Sequence, residues 1–230
     1  SRMVYDHGGN DEQPPLFRVS VSFTDVKGKT KMEMTMSLAS AEAATAIKKH
    51  IKKANGNSTW DRLAEYLSEK DIFVINRSFN APIDLVFKMW TDPKHIKQWL
   101  APTGSEMEFI KADLKAGGTT FYKMEGLHGV MYGRAHYLEI TKPSRIVYTQ
   151  QFVDEKENIT RHPMAPTWPE TMLTTIHLSE ESEDSTRVTI TWEPYGSATT
   201  EEVETFKKAR DGMTAGWTGS FDKLEEYLAK

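Results

Sequence analysis

Tyr132, Arg134 and His136 occupy alternate positions in "MYGRAHYLEI", and a strand turns alternate side chains to one face. If Leu138 and Ile140 face inward, counting back in twos brings His136, Arg134 and Tyr132 to the same side. Arg210 falls on a helical stripe with Phe206, Met213 and Trp217. Two guanidinium groups and an imidazole beside aromatic walls could hold a carboxylate or another anion on a largely apolar ligand. The competing arrangement has Gly133 opening a bulge that reverses the register. Arg134 and His136 then meet solvent, and Arg210 sits at the edge of a helix interface with its charge in water.

The remaining ligand-binding candidates are apolar: Met172, Trp192, Phe206, Met213 and Trp217. Trp90, Trp99, Trp192 and Trp217 read equally as core or as cavity wall, and Met124, Met131, Met164, Met172 and Met213 add adaptable apolar surface. "RHPMAPTWPE", Arg161 to Glu170, holds three prolines and gives Met164 and Trp168 as candidates for a lid over a cavity mouth. A surface excursion or a contact with the N-terminal part of the chain would use the same residues. Phosphate-loop, nucleophile-elbow and "H-E-x-x-H" patterns do not occur. His128 and His136 lack a placed carboxylate, so no metal and no cofactor is expected. "KKHIKK", Lys48 to Lys53, is a solvated helix face or a patch for an acidic partner.

The elements that must position these residues follow from periodicity. Phe17, Val19, Val21 and Phe23 alternate with polar residues, as do Met32, Met34, Met36 and Leu38, and "DVKGK" between them suits a hairpin turn. Asn80 with Pro82 opens a helix carrying Val86, Phe87 and Trp90. Asp92 with Pro93 opens a second, carrying Ile96, Trp99 and Leu100. "KAGG" marks a tight turn, and "RAHYLEI", "RIVYTQQF", "MLTTIHL" and "RVTITW" supply later strands. A final long helix begins near Thr199 and Glu202, which have capping-box spacing, and carries one apolar stripe from Val203 to Leu228. The class is α+β, a curved antiparallel sheet wrapped around a long C-terminal helix.

The chain also repeats itself. "DRLAEYL" at Asp61 returns as "DKLEEYL" at Asp222, and "SRMVY" at Ser1 returns as "SRIVY" at Ser144. Between these landmarks both copies follow one plan of strand, loop, hairpin and helix. Residues 1–70 then form the back half of a module and residues 71–230 a complete one. Asp71 to Pro143 has no counterpart before Ser1, so a fragment of a longer two-module protein is expected, a shortened natural protein being the alternative. A half-module leaves a sheet face and a strand edge uncovered. A homodimer through the partial N-terminal module is the expected remedy, and folding back within the chain is the other.

Composition narrows the partners. The chain has 230 residues, of which 38% are hydrophobic and 27% charged, as in a globular protein. A net charge of −4 argues against general nucleic-acid binding, which needs a basic footprint. Without cysteine there is no disulfide framework and no thiolate chemistry. No apolar run is long enough to span a bilayer, and a cytoplasmic location is expected.

"FNAPIDLVFKMWTDPKHIKQWLAP", "KAGG" and "HGVMYGRAHYLEITKPSRIVY", with the aromatic-bearing terminal helix, resemble the activator of heat-shock-protein-90 ATPase homologue-like family. This family belongs to the SRPBCC superfamily, with START domains and the birch-pollen allergen. The resemblance covers Asp71 to Lys230 in full, and Ser1 to about Glu69 resembles the back half of another copy. It implies a helix-grip fold, often with an internal cavity, and a possible chaperone partner in a stress response. The eukaryotic chaperone activator has a separate N-terminal stimulating domain that nothing here resembles. The expected function is a non-catalytic module holding a small hydrophobic ligand, with or without an anionic group. A co-chaperone-like regulator and a cyclase- or aromatase-like enzyme, with His136 or a tyrosine as acid-base group, are the alternatives.

Overall fold

The computed structural model describes residues 1–9, 14–53, 58–68, 70–126 and 129–230, with side chains for all of these except 48–53. Contacts divide the chain into two units, Ser1–Ala54 and Asn55–Lys230.

In the first unit the alternating apolar residues form β1 (Arg2–His7), β2 (Phe17–Val26) and β3 (Lys29–Leu38), an antiparallel sheet in that order. The β2–β3 turn places Lys27 and Gly28 at φ 54° and 76°. Two successive positive φ angles match the twist of paired strands in a two-residue hairpin. Arg18 fixes β2 to the outer strand through Asp6 with two charge-assisted hydrogen bonds of 2.7 and 2.8 Å. The sheet is followed by α1 (Ala41–Lys53), where the Ser40 hydroxyl accepts from the Ala43 amide. The side chains of "KKHIKK" lie outside the described residues.

The second unit opens with α2 (Thr59–Leu67), the "DRLAEYL" helix. Ser58 and Asp61 form a capping box at its start. The expected boundary after residue 70 would have grouped this helix with the first unit, whereas its contacts run to β4 (Phe73–Phe79). The Asn76 amide donates to the Asp61 carboxylate, and the Glu65 carboxylate accepts from the Val74 amide at 2.7 Å.

After β4 come α3 (Ile83–Thr91) and α4 (Pro93–Trp99), the latter capped by the Asp92 carboxylate, which accepts from the Lys94 amide. Then follow β5 (Ser105–Ala112), β6 (Thr119–Gly126), β7 (Gly129–Thr141), β8 (Arg145–Val153), β9 (Met172–Ser182) and β10 (Ser185–Pro194). The seven strands form one antiparallel sheet, ordered β4-β10-β9-β8-β7-β6-β5. Strands β8, β9 and β10 pair as β1, β2 and β3 do. Ile146 faces Ile176 and Ile176 faces Ile190, as Met3 faces Val21 and Val21 faces Met34.

The single terminal helix expected from the apolar stripe is interrupted at Ala209. It forms α5 (Thr200–Lys208), with Thr199 and Glu202 closing the anticipated capping box, and α6 (Arg210–Leu228). The Ala209 amide is shared between the Thr205 and Phe206 carbonyls, which marks the tightened turn at the junction. Phe206, Phe221 and Leu224 are fully buried with Phe73, Phe79, Trp99, Ile176 and Ile190. Two carbonyls after α4 anchor α6, that of Leu100 accepting from Ser220 and that of Ala101 from Lys223, each at 2.9 Å.

Candidate functional site

Between the sheet and α6 the second unit holds a cavity of about 500 Å³, open on one side. Five of its sheet strands bring Phe109, Tyr122, Tyr137, Tyr148 and Trp192 to the wall, and the helices bring Trp90, Met213 and Trp217. Gly212, Gly216 and Ser220 complete the α6 face. A Cβ added at Gly212 or Gly216 meets nothing within 4 Å, so these two glycines leave space where any other residue would take it.

Of the expected ligand-binding residues, Tyr132, Trp192, Met213 and Trp217 line this cavity. Arg134 and His136 do not, and the register of β7 explains why. Along β7 the cavity is lined by Gly133, Ala135 and Tyr137 in alternation, with Met131 and Tyr132 joining them towards the start of the strand. Between Tyr137 and Glu139 the pairing with β8 slips, leaving Leu138 44% exposed, whereas Ile140 packs on the core. A bulge at Leu138 thus reverses the alternation, and counting back from Ile140 in twos gives the wrong face. The bulge lies at Leu138 and not at Gly133. Gly133 serves a different purpose: a Cβ there would come within 2.4 Å of the Tyr122 ring, which lies against this backbone. The Arg134 guanidinium is bonded to the Gln151 side-chain oxygen at 2.7 Å.

Arg210 also has other partners. Its guanidinium pairs with the Glu65 carboxylate and donates to the Ile72 carbonyl at 2.6 Å. Met172 and Phe206 are core residues, 1% and 0% exposed, and do not line the cavity.

In the proline-bearing loop Trp168 packs inward. Its ring lies 6.5 Å from Trp192 and 5.8 Å from Phe206, and it contributes to the cavity wall with His162 and Ala165. Arg161 holds the loop, donating to the Trp168 carbonyl at 3.1 Å and pairing with Glu202 of α5 at 2.5 Å. Met164 is 71% exposed and stands outside the wall.

The cavity carries polar atoms, and among the described residues no Asp, Glu, Lys or Arg lines it. A neighbouring cleft of about 450 Å³ shares Met131, Tyr132 and Phe152 and is where Asp154, Lys156 and Arg161 stand. Burial pushes the Tyr122 phenol up to about 12. Burial also raises Tyr137 and Tyr148, opposed only in part by hydrogen bonds with Thr120 and Thr174. These phenols remain protonated donors at neutral pH. Partial burial lowers His162, favouring the neutral imidazole. The indole N–H groups of Trp90, Trp192 and Trp217 are buried and find no acceptor among the described residues. Among the described residues no group of three or more His, Cys, Asp or Glu is placed to hold a metal. His128 lies outside them.

Sequence reasoning did not single out Tyr122, Tyr137 and Tyr148 as wall residues. Parity would have found Tyr137, had the count started from the tyrosine.

A curved antiparallel sheet closed by a C-terminal helix defines a helix-grip protein of the SRPBCC kind. The pattern of the "Activator of Hsp90 ATPase homolog 1-like protein" family matches residues 1–68 and 80–229, and the chain belongs to that family. Solved structures agree on the fold. A Mycobacterium smegmatis protein is 19% identical, with a TM-score of 0.58 over 70% of this chain and 91% of its own. An Arthrobacter aurescens protein is 23% identical, with a TM-score of 0.59 over 70% of this chain and 87% of its own. A Staphylococcus epidermidis protein is 26% identical, with a TM-score of 0.54 over 70% of this chain and 92% of its own. A search of curated protein sequences found no match. Among the described residues no helix is long and apolar enough to cross a membrane.

Proposed function

We propose that the second unit binds a small, neutral, hydrophobic molecule in the cavity beneath α6 and does not transform it. The observation that supports this reading is a space of about 500 Å³ whose described lining is mostly aromatic and aliphatic and holds no Asp, Glu, Lys or Arg. Binding is favoured over catalysis because the buried phenols are poor proton acceptors and His136, the acid-base candidate, lies outside the wall, while His162, which does line it, has its Nδ1 taken by the Met164 amide. The anionic group first envisaged on the ligand finds no counter-charge there, since Arg134 and Arg210 have other partners. Titration with the neutral fluorophore N-phenyl-1-naphthylamine tests the reading. Saturable binding at one site per chain, lost on filling the cavity with Gly216→Leu, is expected. Absence of saturable binding overturns it.

A second reading concerns the first unit. Met3, Phe23 and Met34 are 51%, 37% and 40% exposed, whereas Ile146, Leu178 and Ile190, at the matching places in the second unit's sheet, are at most 1% exposed. We propose that a second copy of the chain covers this face. Light scattering at micromolar concentration is expected to give twice the chain mass, reduced to one by Met34→Glu. A monomeric wild type overturns this reading, and a chaperone that binds that monomer would be the alternative occupant.

A further inference from the structure

Helix α2 is fastened to β4 by its polar side. Asp61 and Glu65, four residues apart and so on one face, take the side-chain amide of Asn76, the backbone amide of Val74 and the Arg210 guanidinium. Trp60, Leu63 and Leu67 have the i, i+3, i+7 spacing of one apolar stripe, turned away from that face, and are 42%, 37% and 71% exposed. A surface helix ordinarily does the reverse, burying its apolar stripe and showing its charges to water.

The repeat supplies the comparison. Phe221, Leu224 and Leu228 stand in α6 at the places that Trp60, Leu63 and Leu67 hold in α2. In α6 the stripe points inward: Phe221 and Leu224 are at most 1% exposed, and Leu228 packs on the same core. Asp222, the counterpart of Asp61, pairs with Arg77 of β4. The core under α6 includes Ile146, Leu178 and Ile190, the counterparts of Met3, Phe23 and Met34. The earlier copy thus leaves open both sides of a contact that the later copy closes, a helix stripe and a sheet face. Residues 1–68 match the family pattern as one stretch, so that sheet and that helix belong to the same copy. We infer that α2 of one chain seats Trp60, Leu63 and Leu67 on the Met3, Phe23 and Met34 face of a second chain, and that the exchange is reciprocal. This inference rests on the second-copy reading and adds which element does the covering.

Light scattering of the full chain over a concentration series tests it from both sides of the contact. Leu63→Lys is expected to weaken self-association about a hundredfold, since a symmetric dimer carries the change twice. Its far-UV circular dichroism is expected to stay as in the wild type, because Leu63 faces away from β4. Met34→Glu acts on the sheet side. Mixed in equal amounts, the two monomeric variants are expected to regain the mass of two chains. One of the two contacts in the mixed pair is then wild type on both sides, and the other sets the introduced ammonium against the introduced carboxylate. Should Leu63→Lys lose helix, Leu67→Lys at the most exposed place on the stripe takes its part, with the same expected result.

A dimer that Met34→Glu breaks and that neither Leu63→Lys nor Leu67→Lys weakens would overturn the inference and leave the second-copy reading intact. Failure of the mixture to regain two chains would overturn it as well, because it would mean that helix meets helix and sheet meets sheet. A monomeric wild type would remove the second-copy reading and this inference together.

Discussion

The indole rings of Trp192 and Trp217 meet nearly edge to face, 5.5 Å between centroids with planes at 71°. Trp217 is 6% exposed and also touches Trp90 and Phe221, so its loss removes one wall of the cavity and part of the core. Trp217→Ala is expected to cost about 3–5 kcal/mol. Trp192→Phe keeps most of the ring contact and is expected to cost less than about 1.5 kcal/mol. Urea unfolding midpoints compare the two, and equal costs would show that the contact does not distinguish wall from core.

Gly212 and Gly216 sit inside α6 with open space where a side chain would be. Glycine within a helix is less favourable than alanine by roughly 0.5–1 kcal/mol. Gly212→Ala and Gly216→Ala are each expected to stabilise the protein by that amount while weakening N-phenyl-1-naphthylamine binding. Gain of stability with loss of binding is the result to look for in thermal melts and titrations of the same samples. Destabilisation by alanine would mean that the space is needed by the fold and not by a ligand.

The phenol of Tyr122 gives a pH prediction with a definite sign. Its folded value, about 12, lies above the ordinary value of 10, with burial as the cause. The contribution is complete below pH 10 and is lost as pH rises through about 12. His162 behaves in the opposite sense. Partial burial lowers it below 6.5, so its contribution is complete above pH 6.5 and is lost as pH falls through the lowered value. Urea midpoints are expected to fall above pH 10, and Tyr122→Phe is expected to flatten that decline. An unchanged decline would assign it to other groups.

Glu65 is the fourth test. Its carboxylate serves the Arg210 guanidinium and the Val74 amide together. Glu65→Gln is expected to cost about 1–3 kcal/mol, because it leaves a partly buried cation without its anion. Glu65→Gln combined with Arg210→Met is expected to recover part of that loss. Strict additivity of the two changes, measured by chemical denaturation, would show that the pair carries no coupling.

Much of the architecture was legible from periodicity. Alternation in "FRVSVSF" and "MEMTMSL" marks strands because a half-buried sheet must alternate, and Asp92-Pro93 marks a helix start because both residues suit one. The site was legible only where periodicity stayed regular. Met213 and Trp217 were found along the α6 stripe, whereas His136 and Arg134 were assigned to the interior because nothing local announces the extra residue at Leu138. Arg210 was misplaced for a different reason. Its position on the stripe was right, but the carboxylate that claims it stands on a helix 145 residues earlier. Pairings over such distances leave no local trace. The role of Gly212 and Gly216 is equally silent, since a missing side chain gives no pattern to count.

The Glu65 link also bears on where this protein can be dissected. A version starting at Asp71 would keep every cavity wall and still lose the anion on which Arg210 and the start of β4 rest. The helix whose wording echoes the end of the chain acts as a strut for the unit that follows it. A cut that respects mechanics falls before Ser58, and ancestry read from wording is no guide to where the load is carried.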